Sequence, residues 1–360
     1  MTDDKLFTPG PLSTSRTVKE SMLRDYGSRE DDFVALVREI RAELLALAEV
    51  GAGFEAVPMQ GSGTFALEAA ISTLIPTEAK ILTVINGAYG ARLAQIAELH
   101  GIEVERMELG EDEPADPSRI AATLAGDPSI SHVTLVHCET TTGLLNPLVE
   151  VGGAVAAAGR TFMVDAMSSF GGIPLSMETA SIDVLVSSSN KCIEGVPGFA
   201  FVLCRTALLE ESDGRARTLS LDLVSQWRGL EKNGQFRFTP PTHVMVAFRQ
   251  ALRELAEEGG VEARAARYRA NHARLVEGMR ELGFEEYLPS ERQAWIITTF
   301  REPADRPFDF ERVYRELRAR GLIIYPGKLT REKSFRIGSI GHLTTEDIDR
   351  LLSAMREICA

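Results

Sequence analysis

The sequence predicts an α/β chain, with a large domain on a mostly parallel sheet and a smaller α+β domain after it. Three observations carry this. Short apolar strands alternate with helical stretches from Val57 to Cys204, the pattern of a parallel sheet joined by crossover helices. After Gly259-Gly260 the chain changes to long Arg/Glu-rich helices interleaved with brief strands. A length of 360 residues, 44% hydrophobic and 25% charged, is ordinary globular composition with room for two cores.

Taken in order, an opening segment of residues 1–15 contains Phe7-Thr8-Pro9-Gly10-Pro11. It is too short and proline-rich to fold alone, and is expected to pack on the small domain or lie across an active site or a partner. The large domain is expected over 16–250. Its first helix runs from Asp31 to Val50, with Phe33, Leu36, Val37, Ile40, Leu44 and Leu47 on one face. Its clearest strands are Lys80–Ile85, His132–His137, Thr161–Asp165, Asp183–Val186 and Phe199–Cys204. The last follows Pro197-Gly198 so closely that it is a candidate for the antiparallel direction. A helix begins after Pro240-Pro241 and runs from Thr242 to Gly259. The small domain is expected over 251–360, with helices at Val261–Leu282 and Phe310–Arg320. Its strands are read at Ala294–Phe300, Leu322–Tyr325 and Ser334–Ile337.

The net charge of −13 argues against a nucleic-acid partner and against an anionic membrane surface. Cys138, Cys192, Cys204 and Cys359 form no C-x-x-C pair and read as reduced thiols of a cytoplasmic protein. The start Met1-Thr2-Asp3-Asp4-Lys5 is too polar for a signal peptide, and no apolar run approaches membrane-span length. The six histidines do not cluster, so no metal site is expected.

Chemistry concentrates at strand ends. Lys191, in Val186-Ser187-Ser188-Ser189-Asn190-Lys191-Cys192, follows an apolar strand, whereas the other six lysines lie in polar or terminal surroundings. Ligand sites of open α/β sheets lie at such ends. Desolvation there lowers a lysine pKa and leaves a nucleophilic amine suited to Schiff-base chemistry. Asp165 ends another strand 26 residues earlier, about one strand–crossover–strand unit. A lysine and a carboxylate in one crevice are the pair that pyridoxal phosphate needs. The amine carries the aldehyde as an imine, and the carboxylate keeps the pyridine nitrogen protonated. Taken alone, Asp165 reads more readily as a helix N-cap after a strand.

Gln60-Gly61-Ser62-Gly63-Thr64 opens a helix whose free N–H groups suit a phosphate. Gly61-x-Gly63-x-x-Ala66 also fits a dinucleotide fingerprint. Against that, the strand before it reads as short and broken by Pro58, and Asn86 stands after the next strand instead of an acid. Tyr89, in Asn86-Gly87-Ala88-Tyr89-Gly90, can stack on a flat ring or simply pack over a turn. His137-Cys138-Glu139-Thr140-Thr141-Thr142-Gly143 brings hydroxyls to a third strand end. Arg336, in Phe335-Arg336-Ile337-Gly338, offers a guanidinium fork for an anionic substrate group.

With these residues lined up, the chain resembles the fold-type I pyridoxal-phosphate aminotransferases, in the group holding the alanine–glyoxylate and serine–pyruvate enzymes. The likeness runs from Thr8-Pro9-Gly10-Pro11 and Arg24-Asp25-Tyr26-Gly27-Ser28-Arg29 to Arg336-Ile337-Gly338. It is most specific at Ser189–Gly198 and is clear at Phe238-Thr239-Pro240-Pro241-Thr242-His243. It implies pyridoxal 5'-phosphate as cofactor and a homodimer with shared active sites. By motif, Lys191 would hold the cofactor and shuttle the proton, Asp165 would pair with its ring nitrogen, and Tyr89 would stack on the ring. Ser62, Gly63 and Thr64 would hold the phosphate with Asn190 nearby. Thr140 would sit by the phenolate oxygen, and Arg336 would bind the substrate anion. Thr239 and Thr242 would complete the neighbouring subunit's phosphate site. The branch it most resembles implies transamination of 2-aminoethylphosphonate with pyruvate, giving phosphonoacetaldehyde and alanine.

Three other readings stay open: an alanine/serine–glyoxylate aminotransferase, a cysteine-desulfurase-like lyase and a nicotinamide-dependent dehydrogenase. The lyase is disfavoured because Tyr89 stands where a stacking His is expected and no cysteine lies on an obvious mobile loop.

Overall fold

Runs of Val, Ile, Leu and Phe too short for helices become the strands of one seven-stranded sheet in the computed structural model. The structure describes residues 4–304 and 307–359. Residues 1–3, 305–306 and 360 fall in the expected opening segment and small domain, and lie outside the described residues. The strands are β1 (Phe54–Gln60), β2 (Lys80–Ile85), β3 (Glu103–Glu108), β4 (Ile130–Val136), β5 (Thr161–Asp165), β6 (Val184–Ser188) and β7 (Phe199–Arg205). Their order across the sheet is β1-β7-β6-β5-β4-β2-β3. From β6 across to β3 they run parallel, with crossovers that carry helices such as Ala88–Leu99, Pro117–Gly126 and Leu148–Ala157. Strand β7 is antiparallel to both of its neighbours, β1 and β6. Such a sheet is covered on both faces, which is why β5, β6 and β7 read as nearly continuous apolar runs.

Two sequence expectations change here. The strand before Gly61 is neither short nor broken: β1 is seven residues long and includes Pro58, opposite Phe201. It is an edge strand, where a missing N–H is tolerated. Strand β3 escaped the reading because Glu-Val-Glu-Arg-Met-Glu has only Met107 buried. That is the composition of the opposite edge, where charge blocks further pairing.

The helix Asp31–Leu47 buries Phe33, Leu36, Val37, Ile40 and Leu44 against the sheet layer. It stops before Glu49, whose φ of 54° is left-handed. The helix Thr242–Glu258 continues through residue 250 and puts Met245, Phe248, Leu252 and Leu255 into the same core. It ends at Gly259, where φ is 110° and a side chain would be strained. The long helix Gly260–Glu281 follows directly.

A second core gathers Leu275, Met279, Phe300, Phe335, Ile337, Leu351 and Met355 around a three-stranded antiparallel sheet. Its strands are Ile297–Arg301, Tyr325–Pro326 and Ser334–Gly338. The opening segment joins this second core. Lys5–Leu6 pairs in parallel with Leu322–Ile323, and Phe7 is fully buried among its residues. Beyond Phe7 the chain crosses to the ends of the large sheet.

Candidate active site

The carboxyl ends of β4, β5 and β6 lie side by side, with Asp165 in register with Val136 and Val186. The chain leaving each end lines one cavity of about 210 Å³. Lys191, Asn190 and Ser188 come from the β6 end, Asp165 and Met167 from β5, and Cys138 and Thr140 from β4. Ser62, Gly63 and Thr64 enter from the start of the helix Gly63–Leu74, and Tyr89 and Arg92 from the helix Ala88–Leu99. The structure therefore gathers Lys191, Asp165, Ser62, Gly63, Thr64, Tyr89, Thr140 and Asn190 around one space.

Lys191 sits in the short connection from β6 to β7. The Ser189 hydroxyl closes that connection by donating to the carbonyls of Val196 (2.6 Å) and Phe199 (2.9 Å). Glu194 adopts a left-handed φ of 66°, and its N–H donates to the Lys191 carbonyl at 2.7 Å. A buried cluster holds that turn. The Glu194 carboxylate accepts from the Tyr268 hydroxyl at 2.6 Å and from Arg267 at 2.8 Å, and Arg264 donates to the Cys192 carbonyl at 2.8 Å. All three partners lie on the helix Gly260–Glu281, so that helix braces the lysine loop. Burial lowers the Lys191 pKa, against an upward pull from Tyr89, Cys192 and Asp165. The neutral amine is thereby favoured over its ordinary population.

Asp165 is buried, and desolvation pushes its carboxyl up to about 6 despite the Met167 N–H that donates to Oδ1 at 2.9 Å. Its other oxygen makes no hydrogen bond among the described residues. The helix start opposite is open in the same sense. Ser62 is the N-cap of Gly63–Leu74 but makes no side-chain capping bond. A Cβ on Gly63 would lie 2.4 Å from the Met167 sulfur, so a side chain there would push Met167 aside in the cavity wall. Together these leave unsatisfied N–H groups and a hydroxyl facing the cavity, as an anion site requires.

Tyr89 is held by several groups. Burial would raise its pKa. A hydrogen bond with Thr140 and the charges of Lys328 and Lys191 more than offset this, and the net shift is downward. Arg92 lies over the ring, 5.0 Å from its centroid, and its Nη1 is 3.4 Å from the Thr64 hydroxyl. Sequence reading passed over Arg92. The available signal was its spacing, since Tyr89 and Arg92 are three apart and share a helix face. It also passed over Glu139, which is fully buried and accepts from the N–H groups of Tyr89 (3.1 Å) and Gly90 (3.2 Å). Glu139 thus caps the helix carrying Tyr89 from 50 residues away, and nothing local announces that.

Arg336 lies on the strand Ser334–Gly338, outside the cavity lining. Its Nη1 donates to the Thr140 carbonyl at 2.8 Å and its Nε to the Pro326 carbonyl at 3.0 Å. Burial lowers its pKa, and the Tyr89 hydroxyl pulls the other way. Thr239 and Thr242 are not in the cavity of their own chain. Thr239 is exposed, its carbonyl accepting from Gln60 Nε2 at 3.2 Å, and Thr242 opens the helix Thr242–Glu258. Asn86 is tied to Asn146 at 2.8 Å, so the end of β2 offers no acid for a ribose.

The described residues contain no group of three or more His, Cys, Asp or Glu side chains placed to hold a metal ion.

A family model for aminotransferase class-V matches residues 14–351. The chain is 53% identical over 353 residues to a 2-aminoethylphosphonate–pyruvate transaminase of Syntrophobacter fumaroxidans, covering 98% of this chain and 95% of that one. It is 51% identical to the enzyme of the same name from Salmonella schwarzengrund, covering 98% and 96%. Among solved structures, an alanine–glyoxylate aminotransferase from Nostoc sp. superposes with a TM-score of 0.90 at 25% identity, covering 100% of this chain and 96% of that one.

Proposed function

From the premise that this chain belongs to the aminotransferase class-V family, we propose that it moves the amino group of 2-aminoethylphosphonate to pyruvate. The products are phosphonoacetaldehyde and alanine. The observation that carries the chemistry is the meeting of the Lys191 amine and the Asp165 carboxylate in one cavity beside a helix start. The substrate reading is supported by the activity named for two relatives, at 53% and 51% identity.

The residues fit pyridoxal 5'-phosphate. Asp165 has a carboxylate oxygen without a partner among the described residues, and the Ser62–Thr64 start offers an anion cradle that a side chain at position 63 would fill. When bound, the group supplies an aldehyde that receives the amine and a ring that draws electrons from the reacting carbon. In this reading Asp165 holds a proton on the ring nitrogen. Ser62, Gly63 and Thr64 bind the phosphate, with Asn190 close by. Tyr89 covers one ring face, and Thr140 orients the ring through its phenolate oxygen. Lys191 Nζ would take a proton from the amine-bearing carbon and release it to the carbon on the far side of the transferred nitrogen, acting as base and then acid. Its lowered pKa suits that exchange near neutrality. Arg336 receives the anionic end of each substrate.

The site is completed by a second copy of the chain. Thr239 and Thr242 do not line the cavity of their own chain, and exposed Phe65 and Phe238 flank the helix start and the Thr239 loop. A homodimer that covers these rings brings the partner's loop to the phosphate. The setting in this reading is cytoplasmic, in keeping with the buried thiols of Cys138, Cys192 and Cys204. Among the described residues no helix is long and apolar enough to cross a membrane. The lyase alternative is disfavoured, because Cys138 in the cavity lining and Cys192 beside Lys191 are both buried and burial raises their thiols.

The test is direct. Incubation with 2-aminoethylphosphonate and pyruvate is expected to yield alanine and phosphonoacetaldehyde in equal amounts. No reaction there, with ready amine transfer from alanine to glyoxylate, would replace this reading by the alanine–glyoxylate one.

A further inference from the structure

The two substrates of the proposed reaction differ at their anionic ends. The phosphonate lies one methylene farther from the amine-bearing carbon than the carboxylate of alanine does. It also carries close to two negative charges above neutral pH, where the carboxylate carries one. One guanidinium at Arg336 matches one charge. A second cation stands nearby. Lys328 lies on the loop between Tyr325–Pro326 and Ser334–Gly338, and its Nζ is 3.2 Å from the Tyr89 hydroxyl and 4.8 Å from the ring centroid. The same hydroxyl interacts with Arg336, and the charge of Lys328 reaches Lys191. Lys328, Tyr89 and Arg336 therefore converge at one side of the site.

The charge of Lys328 is not committed elsewhere. Lys5 pairs with Asp347, and Lys80 is shared among Glu103, Glu105 and Asp127. Lys328 is in no salt bridge among the described residues. Its loop is nonetheless held towards the large domain, since the Thr330 N–H donates to both carboxylate oxygens of Glu111 at 3.3 Å. Sequence reading set Lys328 aside as an ordinary polar lysine, because its neighbours in the chain say nothing of Tyr89.

We propose that Lys328 is the second cation of the substrate anion site and gives it its preference for a phosphonate over a carboxylate. The proposal rests on the amine-transfer reading above. Ethylphosphonate and propionate are matched probes, because each lacks the amine and they differ only in the anionic head. Calorimetric titration of the cofactor-loaded enzyme is compared for wild type, Lys328→Gln and Lys328→Arg, alongside single-turnover reactions with 2-aminoethylphosphonate and alanine. Lys328→Gln is expected to weaken ethylphosphonate and raise half-saturation by 2-aminoethylphosphonate about tenfold or more, the scale of one charge-assisted hydrogen bond. Propionate and alanine should lose much less, and Lys328→Arg should stay near wild type. Wild-type affinity for ethylphosphonate should rise with pH through its second ionisation, and Lys328→Gln should flatten that rise. Equal losses for both heads, no loss, or an unchanged pH profile would overturn the proposal. A wild-type enzyme that turns over alanine but never 2-aminoethylphosphonate would remove the substrate reading, while the ethylphosphonate–propionate comparison would still judge Lys328.

Discussion

The amine of Lys191 donates a 2.9 Å hydrogen bond to the carbonyl oxygen of Pro9, a residue 182 positions earlier in the chain. The opening segment that pairs with Leu322–Ile323 thus also touches the cavity lysine at the end of the seven-stranded sheet. Gly10 makes the approach possible. Its φ is 127°, and a Cβ there would lie 2.7 Å from both Cδ and Nζ of Lys191.

Gly10→Ala is therefore expected to displace the segment from Lys191. Strain at such a φ costs about 1–3 kcal/mol. Thermal unfolding should show that loss, and the visible absorbance of cofactor-loaded protein should fall. An unchanged melting temperature and spectrum would mean that the segment yields without consequence.

Asp165→Asn separates stability from chemistry. Burial holds the Asp165 carboxyl at about 6, above its ordinary 3.8. The stabilising contribution of this group to cofactor-free protein is full below pH 3.8 and is lost as pH rises through about 6. At pH near 7.5 the ionised carboxylate, partnered only by the Met167 N–H, costs up to about 3 kcal/mol. Cofactor-free Asp165→Asn should accordingly be more stable than wild type in urea near pH 7.5, with the difference shrinking towards pH 4. Loaded with cofactor, the same variant should lose turnover by well over about tenfold, because a charge-assisted hydrogen bond and the electron-drawing ring are both lost. Normal turnover would take Asp165 out of the site.

Thr239→Ala and Thr242→Ala should speed cofactor loss on dialysis, and more so at low protein concentration, where a dimer dissociates. Concentration-independent retention equal to wild type in the double variant would make this loop structural only.

Arg336→Lys should damage both half-reactions, since lysine keeps the charge but loses the planar fork. Loss of about tenfold or more in single-turnover reactions is expected with 2-aminoethylphosphonate and with alanine. Loss with alanine alone would mean that the phosphonate is held without Arg336.

Much of the scaffold was legible because burial leaves a plain signature. The parallel strands β5 and β6 are apolar on both faces, β5 closes on Asp165, and Lys191 follows soon after β6 closes at Ser188. Lys191 and Asp165 stood out for that reason. What was not legible acts across sequence distance. Glu139 matters through the helix it caps, Lys328 through the ring it reaches, and Arg92 through a face shared with Tyr89. Strand β1 was misread because the tolerance for Pro58 depends on its place at the sheet edge, which no window of sequence contains.

The hairpin of β6 and β7 has a further consequence for the chemistry. Both arms are interior strands, each bonded on two sides, and the loop between them is clamped by Ser189 and Glu194. The backbone of Lys191 therefore cannot swing towards a departing proton. All the travel of its amine comes from rotation about the bonds of its own flexible stem, pivoting on a fixed Cα. Proton delivery in the proposed reaction is a crane with a bolted base, whose reach is the length of one side chain.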